Sequence, residues 1–386
     1  MQITKTTPVV ELEDRYQVNT YAKLPLVVDR GEGCYVFDPQ GQRYLDLYAG
    51  HAVTSTGHCH PKVVEAVRRQ LGELIFYSNA TYNTVRARAL EKLIQLSVPF
   101  HQAFLVNSGA EANENAIKLA RALTGRTEVL SCRNAFHGRT YGSLSATGIG
   151  HYRDFLNTPV PGHVLLPAEE IASRISNSTA AVLVEPIQSM GGVVKIPRDV
   201  LLEIERSCRS HGALLIFDEI QTGVGRTGGS FLYSQKLGLH PDLTSLAKGI
   251  ASGYPAAALL IARDLASQVK KGDLGSTFGG SPAACAAILA TLTVIEEERL
   301  LENVTDVSAY LLQQLKAVAG LDEVRGEGFL IGLSLQNRTA KDVQKGLFEK
   351  GILTGTSYDP KILRLMPALT LSRAEVDQFV GGMQSI

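Results

Sequence analysis

The stretch HGALLIFDEIQTGVGRTG, residues 211–228, contains the pattern from which the fold is predicted. Residues 213–217 form a continuous apolar run, which is typical of a strand buried on both faces, as in a parallel sheet. The run ends on two carboxylates, Asp218 and Glu219, and a glycine-rich stretch follows. Because open α/β sheets bind ligands at the carboxyl ends of their strands, Asp218 is a candidate site residue.

A single lysine follows a second short apolar piece, thirty positions further along the chain. It is Lys248 in SLAKGIASGYP, residues 245–255. An aspartate at a strand end and a lysine on a nearby loop suit pyridoxal 5'-phosphate (PLP). The amine can form a Schiff base with the aldehyde, and the carboxylate can keep the pyridine nitrogen protonated. These two stretches alone leave another interpretation open, in which Asp218 caps a turn and Lys248 is a surface charge.

Composition indicates an ordinary globular protein. The chain has 386 residues, of which 45% are hydrophobic and 20% charged, and this length allows roughly two or three domains. Lys plus Arg equals Asp plus Glu at 38 each, so charge favours neither nucleic acid nor a membrane surface as a partner. No apolar run approaches the length of a membrane-spanning helix. The acidic, weakly apolar N-terminal stretch predicts no signal peptide.

The cysteines predict a cytoplasmic protein with reduced thiols. They are odd in number, scattered and without metal-ligand spacing, and they are Cys34, Cys59, Cys132, Cys208 and Cys285. Cys59 lies between His58 and His60, but no second cluster completes a ligand set. We therefore expect no metal site.

The order of apolar and turn segments predicts three parts. Residues 1–50 form an N-terminal segment with a small antiparallel unit, and residues 51–285 form the large ligand-binding domain. Within the large domain, strands alternate with helices, which predicts an α/β fold with a mostly parallel sheet between helices. The predicted strands are 103–106, 128–132, 180–186, 213–219 and 256–262. Residues 286–386 form a smaller α+β C-terminal domain.

VNSGAEANENAIKLARAL, residues 106–123, predicts a strand end, a turn and a helix. Ser108 and Glu111 have the spacing of a capping box, which puts the helix N-terminus near Gly109 and Ala110. Free backbone amides and the positive end of the helix dipole make such a terminus a natural phosphate site. An ordinary well-capped helix remains the alternative.

Other strand ends and loops carry further candidates. In NAFHGRT, residues 134–140, Phe136 could stack on a cofactor ring and Arg139 could bind a carboxylate bidentately. Glu185 ends another strand. Further along the chain, the hydroxyls of Ser276 and Thr277 could reach a phosphate, and Arg364 lies in an otherwise apolar segment.

Taken in order, SGAEAN, FHGR, EPIQ, DEIQTGVGRTG, LAKG and STFGG resemble the class III PLP-dependent aminotransferases from about Asn19 to the C-terminus. The resemblance implies fold type I of the PLP enzymes and a homodimer. It also implies transfer of the ω-amino group of N-acetylornithine, or of a close N-acyl analogue, to 2-oxoglutarate, which gives a semialdehyde and glutamate. Ornithine, N-succinylornithine and acyl-lysine remain alternative donors, and an aminomutase is a more distant alternative.

The resemblance also implies roles for individual residues. Lys248 would be the Schiff-base lysine and proton carrier, Asp218 the partner of the pyridine nitrogen, and Gln221 a contact of the ring hydroxyl. The remaining residues assigned to the cofactor are Ser108, Gly109, Ala110, Phe136, Glu185, Ile220 and Thr277, the last acting in the partner subunit's site. The residues assigned to substrate are Arg139, Ser276, Arg364, His51 and Met190.

Two of the departures from the family pattern bear on the substrate. Met190 replaces a glutamate that usually pairs with the arginine at position 364, and His51 stands where a small or aliphatic residue is common. An unpaired buried arginine is costly, so we expect another group or water to compensate Arg364. One hypothesis is that Met190 and His51 reshape the pocket for a different N-acyl donor. The other is that both changes are neutral.

Overall fold

The computed structural model describes residues 7–386. Its strands, in chain order, are β1 (Arg30–Glu32), β2 (Tyr35–Phe37), β3 (Arg43–Asp46), β4 (Gln102–Val106), β5 (Glu128–Cys132), β6 (His163–Leu166), β7 (Thr179–Val184), β8 (Ile187–Gln188), β9 (Val194–Lys195), β10 (Leu214–Asp218), β11 (Leu243–Leu246), β12 (Ala257–Ile261), β13 (Leu321–Glu327), β14 (Leu330–Leu335), β15 (Ile352–Leu353), β16 (Gly355–Thr356) and β17 (Ile362–Leu365).

Helices connect most of these strands. They are α1 (Thr7–Tyr16), α2 (Ala49–Ala52), α3 (Pro61–Glu73), α4 (Thr84–Leu96), α5 (Gly109–Thr124), α6 (Tyr141–Ala146), α7 (Gly150–Arg153), α8 (Ala168–Arg174), α9 (Arg198–His211), α10 (Tyr233–Leu237), α11 (Arg263–Ala266), α12 (Pro282–Glu297), α13 (Leu300–Leu315), α14 (Ala340–Glu349) and α15 (Arg373–Gln384). A 3₁₀ helix covers Lys248–Ala251. No helix within residues 7–386 is both long enough and apolar enough to cross a membrane.

The main sheet has seven strands in the order β4-β12-β11-β10-β7-β5-β6. The pairs from β11 to β6 are parallel, and β12 is antiparallel to both of its neighbours. The predicted fold class, a mostly parallel sheet in an α/β fold, is confirmed. Every residue of β7 is buried, which explains its uninterrupted apolar sequence. Strands β6 and β11 were not among the predicted strands. The polar His163 in β6, and Thr244 and Ser245 in β11, weaken the apolar pattern.

Helices cover both faces of this sheet. On one face, α5 packs through Ala116, Ile117 and Ala120 against residues of β5, β7 and β10. On the other face, α8 and α9 pack against alternate residues of the same strands. Because both faces are dry, polar groups concentrate at the sheet edge where the strands end, and this edge carries the site.

Two smaller sheets accompany the main one. Strands β13, β14, β17 and β16 form an antiparallel sheet, and β1, β2 and β3 form the predicted antiparallel unit. Strand β15, from the C-terminal region, pairs in parallel with β3. The proposed boundary at residues 285/286 falls inside the continuous helix α12. The domain limits stay a prediction.

Candidate active site

Loops at the carboxyl edge of the main sheet enclose a cavity of about 390 Å³. They follow β4, β5, β7, β10 and β11. The segment that leads into the antiparallel strand β12 also lies at this edge. Eleven of the candidate residues line the cavity: Ser108, Gly109, Ala110, Phe136, Arg139, Glu185, Met190, Asp218, Ile220, Gln221 and Lys248. The parallel order of the strands therefore brings together motifs that are up to 140 residues apart in sequence, as the positions 108 and 248 show.

Asp218, at the end of β10, accepts three hydrogen bonds. Asn113 Nδ2 donates to its Oδ2 at 2.7 Å, and His137 Nδ1 donates to the same oxygen at 2.8 Å. The backbone N–H of Ile220 donates to Oδ1 at 3.1 Å. The side chain is 3% exposed, so these donors replace water around the carboxylate and fix its orientation. Asp218 therefore does cap the turn at Ile220, but it is buried and holds two further donors.

Lys248 follows β11 and begins the 3₁₀ helix with a left-handed backbone, at φ 49°. Its ammonium group has no hydrogen-bond partner among residues 7–386, and it faces the cavity. Burial lowers the pKa of Lys248 to about 8, although the nearby carboxylates of Asp218 and Glu185 act in the opposite direction. Lys248 is therefore not an ordinary surface charge. A lysine with this pKa supplies a useful fraction of neutral amine near neutral pH.

Glu185 lies just beyond β7 and is 4% exposed. Its Oε2 accepts a hydrogen bond from the backbone N–H of Phe136 at 2.7 Å. Burial raises the pKa of this carboxyl, while the charge of His137 acts against the rise. Glu185 thus joins the loop after β5 to the end of β7 and adds an acidic group to the cavity wall.

The N-terminus of α5 presents free backbone donors to the cavity. Ser108 is the N-cap, and the predicted capping box with Glu111 is present. The N–H groups of Gly109 and Ala110 have no acceptor within the described part of the chain, as expected for the first turn of a helix. A Cβ on Gly109 would lie 2.5 Å from Ile220 Cδ1. Glycine here therefore allows α5 to approach the loop that follows Asp218.

Gln221 contributes a buried side-chain oxygen, Oε1, without a partner in the described residues. Phe136 lies close by on the cavity wall, and its ring makes an edge contact with Tyr152 at a centroid distance of 5.4 Å. A buried carbonyl oxygen without a donor is uncommon in folded proteins. Its position on the wall leaves this oxygen able to accept a hydrogen bond from a group in the cavity.

Arg139 is the charged residue of the FHGR loop, and it lines the cavity. Its guanidinium lies over the ring of Tyr152, 4.4 Å from the centroid. From α5, Glu114 Oε1 accepts hydrogen bonds from Thr140 Oγ1 at 2.6 Å and from the N–H groups of Gly142 and Ser143 at 2.8 and 2.9 Å. Glu114 therefore fixes the loop in which Arg139 lies.

Four candidate residues are not in the cavity wall. Arg364, on β17, is 1% exposed and lies behind the wall residue Ser189, to which its Nη1 donates at 2.9 Å. Ser276 lies beside the wall, because its Oγ accepts a hydrogen bond from Asn107 Nδ2 at 3.3 Å. Thr277 is exposed at the surface.

His51, the fourth, lies in α2, where Ala49 to Ala52 all have positive φ angles. Several consecutive left-handed residues are strained in an L-peptide. The His51 Nδ1 forms a hydrogen bond with the hydroxyl of Tyr48. Burial lowers the pKa of His51 to about 4, and the charges of Arg364, Lys248 and Arg139 act in the same direction. His51 is therefore near these three cations and is neutral at pH 7.

The sequence did not identify three residues that the geometry brings into the site. His137 and Asn113 hold Asp218, and Ser189 holds Arg364. His137 is in the FHGR motif that was examined, but its partner is 81 residues away. Asn113 is one of several polar residues on α5, so only the packing of α5 against β10 distinguishes it.

The described residues contain no group of three or more His, Cys, Asp or Glu side chains arranged to hold a metal ion. Cys59 is exposed, and its neighbours His58 and His60 pair instead with Asp46 and Glu298. The cavity is thus a site of lysine, carboxylate and arginine groups.

The family model for class-III aminotransferases matches residues 16–386. The chain belongs to this family. The predicted resemblance is therefore confirmed over nearly the whole sequence.

Individual class-III aminotransferases match at similar coverage. The acetylornithine aminotransferase of Methanothermobacter thermautotrophicus is 39% identical over 379 residues, covering 96% of each chain. That of Methanosarcina acetivorans is 41% identical over 378 residues, covering 96% of this chain and 94% of its own. The ornithine aminotransferase structure from Toxoplasma gondii has a TM-score of 0.91 at 31% identity and covers 98% of this chain and 94% of its own. A second structure of that enzyme is described as partly occupied by PLP at its active site.

Proposed function

We propose that this class-III aminotransferase moves the ω-amino group of N-acetylornithine to 2-oxoglutarate with PLP as its cofactor, giving the semialdehyde and glutamate. The observation that carries the proposal is Lys248, with its lowered pKa, in one cavity with Asp218 and Arg139. The acetylornithine aminotransferases that match at 39% and 41% identity support the choice of donor.

The cavity fits PLP through groups that lack partners. The free N–H groups of Gly109 and Ala110 suit the phosphate, and the unpaired Oε1 of Gln221 suits the ring hydroxyl. Asp218 suits the pyridine nitrogen, and Ser108, Phe136, Glu185 and Ile220 complete the surroundings. When bound, PLP supplies an aldehyde that accepts the amino group and a ring that withdraws electrons.

The residues of the chain then have distinct tasks. Lys248, as a neutral amine, would accept a proton from the substrate carbon that bears the amino group. Asp218 holds a proton on the pyridine nitrogen, and His137 and Asn113 keep the carboxylate oriented while it does so. Arg139 binds the carboxylate of the amino donor.

The second substrate requires a second cation. Glutamate and 2-oxoglutarate carry two carboxylates, and Arg364 is the additional arginine beside the cavity. Met190 lines the cavity where the family usually has a glutamate, so no acidic side chain at that position competes for Arg364. A close N-acyl analogue of acetylornithine, such as N-succinylornithine, is the second candidate donor. Met190 and His51 are the residues that favour it.

We also propose a homodimer in which Thr277, with Ser276 beside it, completes the partner subunit's site. Thr277 is exposed on its own subunit, and the neighbouring Phe278 is 62% exposed. An exposed aromatic residue beside a site loop favours an interface there. We further propose that each subunit is divided into domains after residues 50 and 285. A cytoplasmic location is consistent with the five cysteines, which form no disulfide.

A screen of single half-reactions tests the function. The PLP-loaded protein is mixed separately with N-acetylornithine, N-succinylornithine, ornithine, N-acetyl-lysine, 4-aminobutyrate and glutamate, and the visible absorbance of the cofactor is followed. We expect fast loss with N-acetylornithine and glutamate, and a much slower loss with ornithine. A fast response to another donor only would overturn the choice of N-acetylornithine. A protein that stays colourless after PLP addition would contradict the whole proposal.

A further inference from the structure

Arg364 is a buried cation without a carboxylate partner in residues 7–386. Its Nε donates to the backbone oxygen of Thr356 at 2.7 Å. Its Nη1 donates to Ser189 Oγ at 2.9 Å and lies 3.9 Å from the sulfur of Met366. All of these partners are neutral. Burial lowers the pKa of Arg364, but a guanidinium keeps its charge at neutral pH. The positive charge therefore has no carboxylate in direct contact within the described residues.

Two anchors determine the orientation of this guanidinium. A planar group held at Nε and at Nη1 cannot rotate about its last bond without breaking one hydrogen bond. The hydroxyl of Tyr48 also interacts with the guanidinium, and Nη2 makes no other hydrogen bond within the described part of the chain. The free edge of Arg364 is thus oriented by Thr356 on one side and by Ser189 on the other.

Ser189 is itself rigidly held. It follows β8, and its backbone oxygen accepts a hydrogen bond from the N–H of Val193 at 3.2 Å. The preceding Gln188 donates through Nε2 to the backbone oxygen of Arg133 at 2.7 Å. The following Met190 accepts from the N–H of Tyr358 at 2.8 Å. With both neighbours fixed, the Ser189 hydroxyl has a defined position between the cavity wall and Arg364.

The surrounding charges match a ligand with two negative groups. Arg139 and Ser189 line the cavity. Arg364 lies outside the wall, directly behind Ser189. Burial lowers the pKa of His51 to about 4, and the charges of these arginines and Lys248 act in the same direction, so His51 adds no further positive charge at pH 7. Tyr48 and Tyr152 lie near Arg364. Glu185 is the carboxyl group whose charge acts to raise the pKa of Arg364, against the effect of burial.

We propose that Ser189 is a positioning residue that orients Arg364 for the second carboxylate of a dicarboxylate substrate. This inference rests on the proposed function and adds a residue to it. Because the anchors of Arg364 are neutral, no acidic side chain must leave before a carboxylate binds. The substrate itself supplies the missing negative charge. Ser189 therefore affects glutamate and 2-oxoglutarate, whereas N-acetylornithine, with one carboxylate, depends on Arg139.

The test is Ser189→Ala in the PLP-loaded enzyme, with glutarate as an unreactive dicarboxylate probe. Titration calorimetry should show about tenfold weaker glutarate binding, the usual range for a lost hydrogen bond to a charged group. The KM for 2-oxoglutarate should rise similarly, while kcat and the half-reaction with N-acetylornithine change less than about twofold. Ser189→Thr, which keeps the hydroxyl, should bind glutarate nearly as well as the wild type.

Ser131→Ala is the matched control. Ser131 is also fully buried, and its hydroxyl donates to the backbone oxygen of Ala146 at 2.8 Å, away from the cavity wall. Its loss should leave glutarate binding unchanged. An equal loss of glutarate affinity in this variant would mean that the Ser189 effect is a general consequence of removing a buried hydroxyl, and it would overturn the proposal.

A double-mutant cycle decides whether Ser189 acts through Arg364. In an Arg364→Ala background, Ser189→Ala should have no further effect on glutarate affinity. Additive effects, or wild-type affinity in Ser189→Ala, would refute the positioning role. Because glutarate binding requires no turnover, these arms remain decisive if N-acetylornithine proves not to be the donor.

Discussion

Lys248 and Asp218 have different surroundings. Lys248 has no hydrogen-bond partner in residues 7–386, and burial lowers its pKa to about 8. Asp218 receives three donors, from Asn113, His137 and the backbone of Ile220. Burial therefore favours the uncharged form of the lysine, whereas the three donors fix the orientation of the aspartate. This combination gives one cavity both a base and a fixed negative charge.

The uptake of PLP by the apoenzyme should depend on pH with a midpoint near 8. Only the neutral amine of Lys248 attacks an aldehyde. With a pKa of about 8, the neutral fraction rises from about a tenth at pH 7 to about nine-tenths at pH 9. The rate of PLP attachment, followed by stopped-flow absorbance, should rise over this range. An ordinary lysine would instead show its midpoint above pH 10.

Lys248→Ala is the control for this prediction. Borohydride reduction followed by mass spectrometry should locate PLP on Lys248 in the wild type and nowhere in the variant. Aminotransferase activity should fall about 10²–10⁴-fold, the usual contribution of a general acid–base group. Attachment of PLP at another lysine in the wild type would show that the assignment of Lys248 is wrong.

Helix α5 organises the site at three points along its length. Its first turn presents the free N–H groups of Gly109 and Ala110. One turn later, Asn113 donates to Asp218, and the next residue, Glu114, holds the loop that contains Arg139. A capping box defines where the helix begins, and its packing against the sheet sets its rotation. One rigid element thus connects the proposed phosphate, ring and carboxylate positions.

Glu114→Gln should impair substrate binding through this element. An amide keeps the size of the side chain but weakens the hydrogen bonds to Thr140, Gly142 and Ser143, because the acceptor is no longer charged. Arg139 would then be less well oriented. We expect the KM for both substrates to rise about tenfold, and the melting temperature to fall by roughly 2–4 °C for a loss of about 1 kcal/mol.

Glu128→Gln is the comparison for the Glu114 variant. Glu128 also connects separate elements, through Arg174 and Thr179, but it lies at the opposite end of β5 from the cavity. It should lower the melting temperature to a similar extent and leave KM unchanged. If Glu114→Gln lowered stability without changing KM, its role would be limited to the fold.

One part of the molecular surface carries several exposed apolar residues, a feature that favours association of subunits. Ile75, Tyr77 and Phe278 are more than half exposed, and the rings of Phe76 and Phe278 contact each other at 5.3 Å between centroids. Thr277 is adjacent to this patch. Because clustered exposed aromatic residues mark interfaces, the patch favours a dimer with the loop of Thr277 at its contact.

A mixed dimer tests whether Thr277 acts across the interface. Lys248→Ala subunits lack the reactive amine, and Thr277→Ala subunits should bind PLP at least about tenfold more weakly, because a hydrogen bond to phosphate is lost. If Thr277 serves the partner's site, a dimer with one subunit of each kind has one intact site. Co-expressed and separately tagged subunits should then recover about half of the wild-type activity per dimer.

The two homodimeric variants are the controls for this experiment and should both have low activity at limiting PLP. If the mixed dimer is no more active than the Thr277→Ala homodimer, Thr277 acts within its own subunit. A monomeric wild-type protein in light scattering would refute the shared site altogether.

Much of the molecule follows from local sequence patterns. The apolar runs predicted five strands of the main sheet, the Ser108–Glu111 spacing predicted the capping box, and the motif order indicated the family. Each of these features depends on residues close together in the chain, such as neighbours in a strand or a helix turn. Their physical causes, burial on both faces and capping of free amides, act over a few residues.

Only the tertiary structure determined which distant residues meet. The antiparallel direction of β12, the addition of β15 to the N-terminal sheet and the contacts of Asp218 with Asn113 and His137 all join separate segments. The side-chain hydrogen bond of Arg364 is to the neutral Ser189, 175 residues earlier in the chain. Contacts of this kind depend on how strands are ordered and how helices pack against them. A single sequence records the residues of such a pair but not the distance between them.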